Sequence, residues 1–343
     1  MNLLNLVVKM ALVTVVCTSF EILSNNHLKM ALGNSDHEWS LFDNFRENFQ
    51  KRYENFEEFK ERFEVFRDNL KTIVEHNNEQ RNFTLGINRF SDLTNKEYSD
   101  MYLGGFSAKD MWSKGCAEYN SKIDSSELPC VVDWTSILGP IQDQEQCGSC
   151  YAFSSVQQIE SAYAITNGKL IDLSEEQVVE CSKKNQKCNG GLMENVFQYA
   201  MSNPLCLNEN YPYTSGNGET GSCDTTCEGV VSVSSCYTIE ENNQIDLKSA
   251  LYEQPVSVAI DASTPYFQMY SGGIIDSAKC GTDLDHAVFL IGYGTDDGVD
   301  YWLLRNSWSE SWGENGTFKI LRNDSENDAG ICGIAMMASF SVV

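Results

Sequence analysis

The sequence predicts an α+β protein in which a two-lobed body, its first half helical and its second half β-rich, follows a separate helical segment. Three observations lead there. Between residues 36 and 100, aromatic residues recur at helical spacing in a stretch free of Cys and Pro. After Leu128, cysteines and glycines become frequent and a buried-helix pattern follows. Short runs rich in β-branched and aromatic residues are confined to the C-terminal part. At 343 residues the chain has room for two domains of about 100–200 residues each.

Met10 to Phe20 is a mostly apolar run behind Lys9, followed by small and polar residues. Its length suits a signal peptide, expected over 1–24, and falls short of the about 20 apolar residues of a bilayer span. A signal anchor is the alternative, and no other segment offers a stable membrane span. Residues 25–127 are expected to form a helical segment and linker. Trp39, Phe42, Phe45 and Phe49 share one helical spacing, and Phe59, Phe63, Phe66 and Leu70 another; Gly104 to Glu127 lacks periodicity and reads as linker. The body spans 128–343. Ala152, Phe153, Val156, Ile159 and Tyr163 form a helical stripe over Tyr151–Ile165 that stops before Asn167-Gly168. Pro255–Ile260, Ala287–Tyr293, Tyr301–Arg305 and Thr317–Leu321 read as strands. A cleft between the lobes is the natural ligand site.

Apolar residues make up 42% and charged ones 21%, which is ordinary for a chain with a real core. The net charge of −25 argues against a nucleic-acid partner, because phosphate binding needs a basic face. Thirteen cysteines behind a signal-like start point to an oxidising compartment and a disulfide framework. Cys17 would leave with the signal.

The sharpest segment is Gln144-Glu145-Gln146-Cys147-Gly148-Ser149-Cys150-Tyr151-Ala152-Phe153. Its Cys-x-x-Cys pair fits a redox dithiol, half a zinc site, or a structural cysteine beside a nucleophile. A thiol attacks as thiolate, with an ordinary pKa of about 8.5, so catalysis needs a device that favours the anion. Cys150 opens the expected helix, whose dipole and free N–H groups favour a negative sulfur. A base is the second need. Of the four histidines, His27, His37 and His76 fall in the N-terminal segment; His286, in Leu284-Asp285-His286-Ala287-Val288, alone falls in the body. A lone His is more often structural, and Asn306-Ser307-Trp308, taken alone, suits an aromatic core strand. Asn306 could orient an imidazole, and Trp308 could shield that bond from water.

Together these segments resemble the papain family of cysteine peptidases, specifically its cathepsin L-like members. Tyr151 stands where the family usually has Trp. The resemblance implies the papain-like two-lobed fold, a helical lobe plus a β-barrel-like lobe, with Cys150 as nucleophile, His286 as general base and acid, Asn306 as the orienting residue, and Gln144 with the Cys150 N–H as oxyanion donors. It implies a Cys147–Cys188 bridge, which leaves Cys150 free, and bridges Cys181–Cys223, Cys280–Cys332 and Cys206–Cys227. For Cys130 and Cys236 it names no partner; a bridge between those two is the expectation. Gly190 and Gly191 would let a substrate backbone approach, with Asp285 and Trp308 bordering the cleft. Leu192, Met193, Ala259, Leu284, Ala287 and Met337 would line the main pocket, for the second residue before the cut (P2). All are apolar, so Leu, Val or Phe is expected there over Arg.

Glu58, Arg62, Val65, Phe66, Asn69, Ile73 and Asn77 match the interspersed motif of cathepsin L-like propeptides, and Gly86, Asn88, Phe90 and Asp92 its companion. The N-terminal segment is therefore expected to be an inhibitory propeptide whose grip loosens in acid, with the mature chain starting near Leu128. The implied product is a cysteine endopeptidase made as a zymogen, monomeric, acting on proteins and peptides without cofactor or metal, in the secretory pathway, a lysosome or digestive vacuole, or outside the cell. Asn82, Asn315 and Asn323 begin glycosylation sequons, Asn323 being the best placed. A papain-fold protein without catalysis is the main alternative; such relatives usually replace the Cys or His kept here. A redox or zinc protein is the third.

Overall fold

The structure, a computed structural model, describes residues 24–79, 81–103, 115–276 and 280–343. All of the expected signal peptide but Ser24 lies outside the described residues. The N-terminal segment forms helices α1 (Asn25–Ala31), α2 (Ser35–Asn48), α3 (Phe56–Asn77) and the single turn α4 (Asn95–Tyr98), with strand β1 (Phe83–Leu85) before α4. Asparagines start the long helices. Asn34 accepts from His37 N, and Asn55 from Glu57 N and Glu58 N, satisfying donors that a helix start leaves free. The aromatic stripes then meet: Trp39 stacks on Phe63 with ring centroids 3.5 Å apart, and Phe42 lies 5.3 Å from both Phe63 and Phe66. Asn69 and Asn77 tie α3 to the chain beyond it, donating to Ser91 O, Leu93 O and Leu85 O.

The body is built on α5 (Cys150–Asn167), with α6 (Glu175–Cys181), α7 (Met193–Ser202), α8 (Gln244–Glu253) and the turn α9 (Pro265–Gln268). Gly168 ends α5 at φ 64°, a left-handed cap that glycine adopts without strain. The strands are β2 (Ala117–Glu118), β3 (Val132–Asp133), β4 (Leu205–Cys206), β5 (Gly229–Val231), β6 (Ser235–Thr238), β7 (Val256–Ile260), β8 (Tyr270–Ile275), β9 (His286–Asp296), β10 (Val299–Arg305), β11 (Thr317–Leu321) and β12 (Ala338–Val342). Ten of the described strands form one sheet in the order β1-β8-β11-β10-β9-β7-β12-β6-β2, with β3 on β9. The expected strands at 255–260, 287–293, 301–305 and 317–321 are β7, β9, β10 and β11.

Two hydrophobic clusters divide the molecule. One joins α5 and α7 to the start of β9 and contains Cys150. The other fills the β lobe, contains Trp308 and Trp312, and continues without a break into the Phe42, Phe66, Phe90 and Tyr98 core of the N-terminal segment. The propeptide region and the β lobe therefore share one core.

The described bridges include Cys147–Cys188, Cys181–Cys223, Cys206–Cys227 and Cys280–Cys332. The expected Cys130–Cys236 bond is not formed. Cys236 is bonded to Cys116, and Cys130 is an exposed free thiol. Residues 104–114 of the expected linker lie outside the described residues; farther on, Ala117 and Glu118 are laddered in parallel to Tyr237 and Thr238, which sets Cys116 against β6.

Candidate active site

Cys150 is the first residue of α5, 3% exposed and not in a disulfide. The strand β9 begins at His286 directly across from it: Ala287 N donates to Cys150 Sγ at 3.4 Å. Burial pushes the thiol up to about 11, against the Ala287, Tyr151 and Cys150 N–H groups, which favour the anion.

His286 is fully buried. Its Nε2 bonds Asn306 Oδ1 at 2.8 Å, while Nδ1 has no hydrogen-bond partner. Because Asn306 Oδ1 can only accept, Nε2 carries the proton and Nδ1 keeps a free lone pair. Burial pulls the imidazole down to about 4, against the Asn306 bond, which supports the cation. Trp308, also fully buried, stacks on the ring at 4.6 Å and 25°. Burial thus disfavours the charged form of both reactive groups.

Gln144 is fully buried beside them. Its Nε2 donates to Tyr102 O and Cys147 O, both at 2.9 Å, and its Oε1 accepts from Ser307 Oγ at 2.6 Å. The sequence alone did not single out the residues that hold this loop. Tyr213 O–H donates to Gln144 O at 2.8 Å and lies 2.9 Å from Ser149 Oγ. It thus clasps both sides of the nucleophile loop, the side of Gln144 and the side of the Cys150 N–H. Glu176, near the start of α6, fixes Tyr213 in turn by accepting four bonds from the backbone and hydroxyls of Thr214 and Ser215.

Leu192, Met193, Ala259, Leu284, Ala287 and Met337 share one buried cluster with Cys150, so residues far apart in the chain come together. Asp285 is half-buried; burial pushes its carboxyl up to about 7, against the Ala262 N–H that it accepts. The glycines have reasons besides substrate approach. Gly190 has φ 99°, and a Cβ on Gly191 would stand 2.6 Å from Asn185 Oδ1 and 2.8 Å from Tyr151 Cδ2. Among the described residues, no group of three His, Cys, Asp or Glu could hold a metal.

The N-terminal segment covers this site. β1 pairs with β8, and Gln268 Nε2 donates to Phe90 O and Leu93 O. Phe90 and Tyr98 set their ring edges on Trp308 at 5.2 and 5.6 Å. Arg89 pairs with Asp143, and Tyr102 puts its carbonyl on the Gln144 amide.

Residues 128–342 match the papain family cysteine protease domain, and 42–98 the cathepsin propeptide inhibitor domain (I29). The chain is 43% identical to "Probable cysteine protease RD21B" of Arabidopsis thaliana over 80% of its own length and 59% of that protein's. It is 42% identical to "Germination-specific cysteine protease 1" of Arabidopsis thaliana, over 80% and 75%. It spans about three-fifths of several such plant relatives, "Oryzain beta chain" of Oryza sativa subsp. japonica among them. A recombinant stem bromelain precursor superposes with TM-score 0.81 at 32% identity, over 89% of this chain and 99% of that one. Digestive procathepsin L 3 of Tenebrio molitor larval midgut gives 0.80 at 32%, over 89% and 99%. With both domains matched in order, and a free cysteine, a histidine and an asparagine gathered at the lobe boundary, the chain belongs to the papain family of cysteine proteases.

Proposed function

We propose that this chain is the zymogen of a cysteine endopeptidase, with Cys150, His286 and Asn306 as its catalytic residues and Gln144 as an oxyanion donor. One observation carries this: Cys147 is bonded to Cys188, which leaves Cys150 as a free thiol at a helix start facing the strand that begins with His286. Once the cleft opens to water, the penalty that burial places on charge falls, and thiolate and imidazolium become accessible. The thiolate attacks a peptide carbonyl; His286 Nδ1 carries the proton and gives it to the leaving amine, producing an acyl-enzyme on Cys150. Water, deprotonated by His286, then releases the acid. Gln144 Nε2, freed from Tyr102 O, and the Cys150 N–H meet the oxyanion. Localisation to the secretory pathway, ending in a lysosome-type compartment or outside the cell, fits the signal-like start and five described disulfides.

Acid loosens the propeptide. Lys51–Asp92 and Arg62–Glu97 ion pairs, both at 2.8 Å, brace it internally. Burial alone would raise the Glu97 carboxyl; the Thr94 backbone and hydroxyl and Arg62 more than offset it and hold it below its usual range. A carboxylate lowered in this way supports the fold fully above about pH 4.5, and that support is lost as pH falls through its folded pKa.

The test of specificity is a P2 peptide library on acid-activated enzyme. Leu, Val or Phe should exceed Arg by at least about tenfold in kcat/KM, because an apolar pocket leaves a guanidinium unpaired. Glu194, beside Met193, is itself buried, and that burial raises its carboxyl. A library led by Arg would sink the apolar pocket.

Tyr213→Phe keeps the ring and removes the clasp. The expected result is kcat lower by about tenfold with KM unchanged. A peptide aldehyde, whose adduct uses the oxyanion donors, should weaken in parallel, whereas the rate of Cys150 alkylation by iodoacetamide stays level. Equal losses in both probes would mean that the hydroxyl serves only the loop's fold.

A further inference from the structure

The matched inhibitor and protease domains leave residues 99–127 to neither. The structure divides that gap. Leu103 lies buried in the core shared with the inhibitor helices, while Cys116 is bonded to Cys236, a residue of β6 that is 3% exposed. Beyond Cys116 the chain joins the body's sheet. Ala117 and Glu118 pair with Tyr237 and Thr238, and Tyr119 N donates to Thr238 O at 2.8 Å. The Tyr119 ring sets its edge on Phe340 of β12 at 5.4 Å, next to Tyr237, which stacks on the same ring at 5.3 Å. The inhibitor helices are held differently: among the described residues, ring contacts, hydrogen bonds, an ion pair and a three-residue ladder hold residues 24–103 to the body, and none of the disulfides does.

We propose that the activated enzyme keeps Cys116–Glu127 as a disulfide-anchored arm, so that its working form is more than residues 128–343. This rests on the zymogen assignment above. The activating step is hydrolysis of a peptide bond by water, giving a new carboxylate and a new ammonium; it breaks no S–S bond and needs no reductant. A cut on the N-terminal side of Cys116 leaves one continuous chain. A cut between Tyr119 and Leu128, together with a second before Cys116 that frees the inhibitor, leaves a short peptide tethered to Cys236. In either case the arm covers the outer edge of β6, where bare N–H and C=O groups would otherwise stand ready to pair with another chain, and the inhibitor departs from the opposite end of the sheet.

The experiment is acid activation of the wild-type chain without reductant, labelling with an epoxide that traps active thiols, and intact-mass and peptide-map analysis before and after reduction. The expected result is an epoxide-labelled species whose non-reduced mass includes Cys116–Glu127, with a Cys116–Cys236 peptide in the map. On reduction that species either gains only the protons of opened bridges or sheds the arm, according to where the cut falls; both support the arm. Labelled enzyme whose mass is that of 128–343 alone, with Cys236 alkylated before reduction or bonded to Cys130, overturns it. Absence of any labelling or hydrolysis would instead strike the zymogen assignment, so the two failures are distinct.

Discussion

Cys150→Ala will reduce peptide hydrolysis by on the order of 10⁵-fold, the scale seen when a nucleophile is removed from a triad whose other members cannot act alone. The purified precursor carrying it will also stay full length in acid, in so far as the molecule processes itself. Folding should survive. The side chain is buried, but its removal opens a void of one sulfur and leaves Ala287 N without its acceptor, together about 1–3 kcal/mol. Cys150→Ser restores an acceptor there and should be inactive with near-native stability, which separates chemistry from folding. Hydrolysis within tenfold of wild type by the alanine protein, measured with a fluorogenic peptide after processing in trans, would end the assignment of Cys150.

The second large effect is on stability against pH. Glu175 begins α6 and is 2% exposed; Gln142 Nε2 donates to it at 2.5 Å. Burial, aided by the charge of Asp172, raises its carboxyl well above the usual carboxylate range, against its own N–H, Gln142 and Arg305, which favour the anion, and the buried Glu160 is raised with it. Asp285, raised to about 7 by burial, adds to the effect. For a carboxylate raised on folding, the native state binds the extra proton between the unfolded value, about 4.5, and the folded one, so stability falls as pH rises through that window. His286 works the other way: lowered to about 4, it withdraws stability as pH falls from about 6.5. The precursor should therefore lose stability as pH rises from about 6.5, where His286 no longer offsets the carboxylates, to 8. Glu175→Gln, in the Cys150→Ala background to prevent self-digestion, should flatten that loss. Thermal melts across pH 5–8 decide it. A Tm that climbs with pH, or a glutamine variant with an unchanged slope, would refute the buried proton.

The range of each interaction decided whether the sequence disclosed it or hid it. The α2 and α3 stripes were legible because helix packing writes a local period, and Trp39, Phe42 and Phe63 meet as that period requires. Strand β12 was not. Ser339 and Ser341 break its apolar pattern, and Ser341 belongs in the core only because Gln158 Oε1 accepts both its N–H and its hydroxyl. The partner of Cys236 was hidden for a similar reason. It lies 120 residues away in a stretch without periodicity, and a two-residue parallel ladder leaves no signature in composition. Tyr213 lies in Tyr211-Pro212-Tyr213, and its place beside Gln144 is set by Glu176, which no pattern links to it.

The two margins of the ten-strand sheet are both supplied by chain that precedes Leu128, yet they have different fates. On the proposed activation β1 would leave with the inhibitor, and Ile274 N, which donates to Asn82 O in the precursor, would then be hydrated or find another carbonyl. β2 stays if the Cys116 bridge stays. Maturation would thus unzip a single selvedge of the fabric, baring a glycine-bearing rung at Gly272-Gly273 and leaving the far hem stitched.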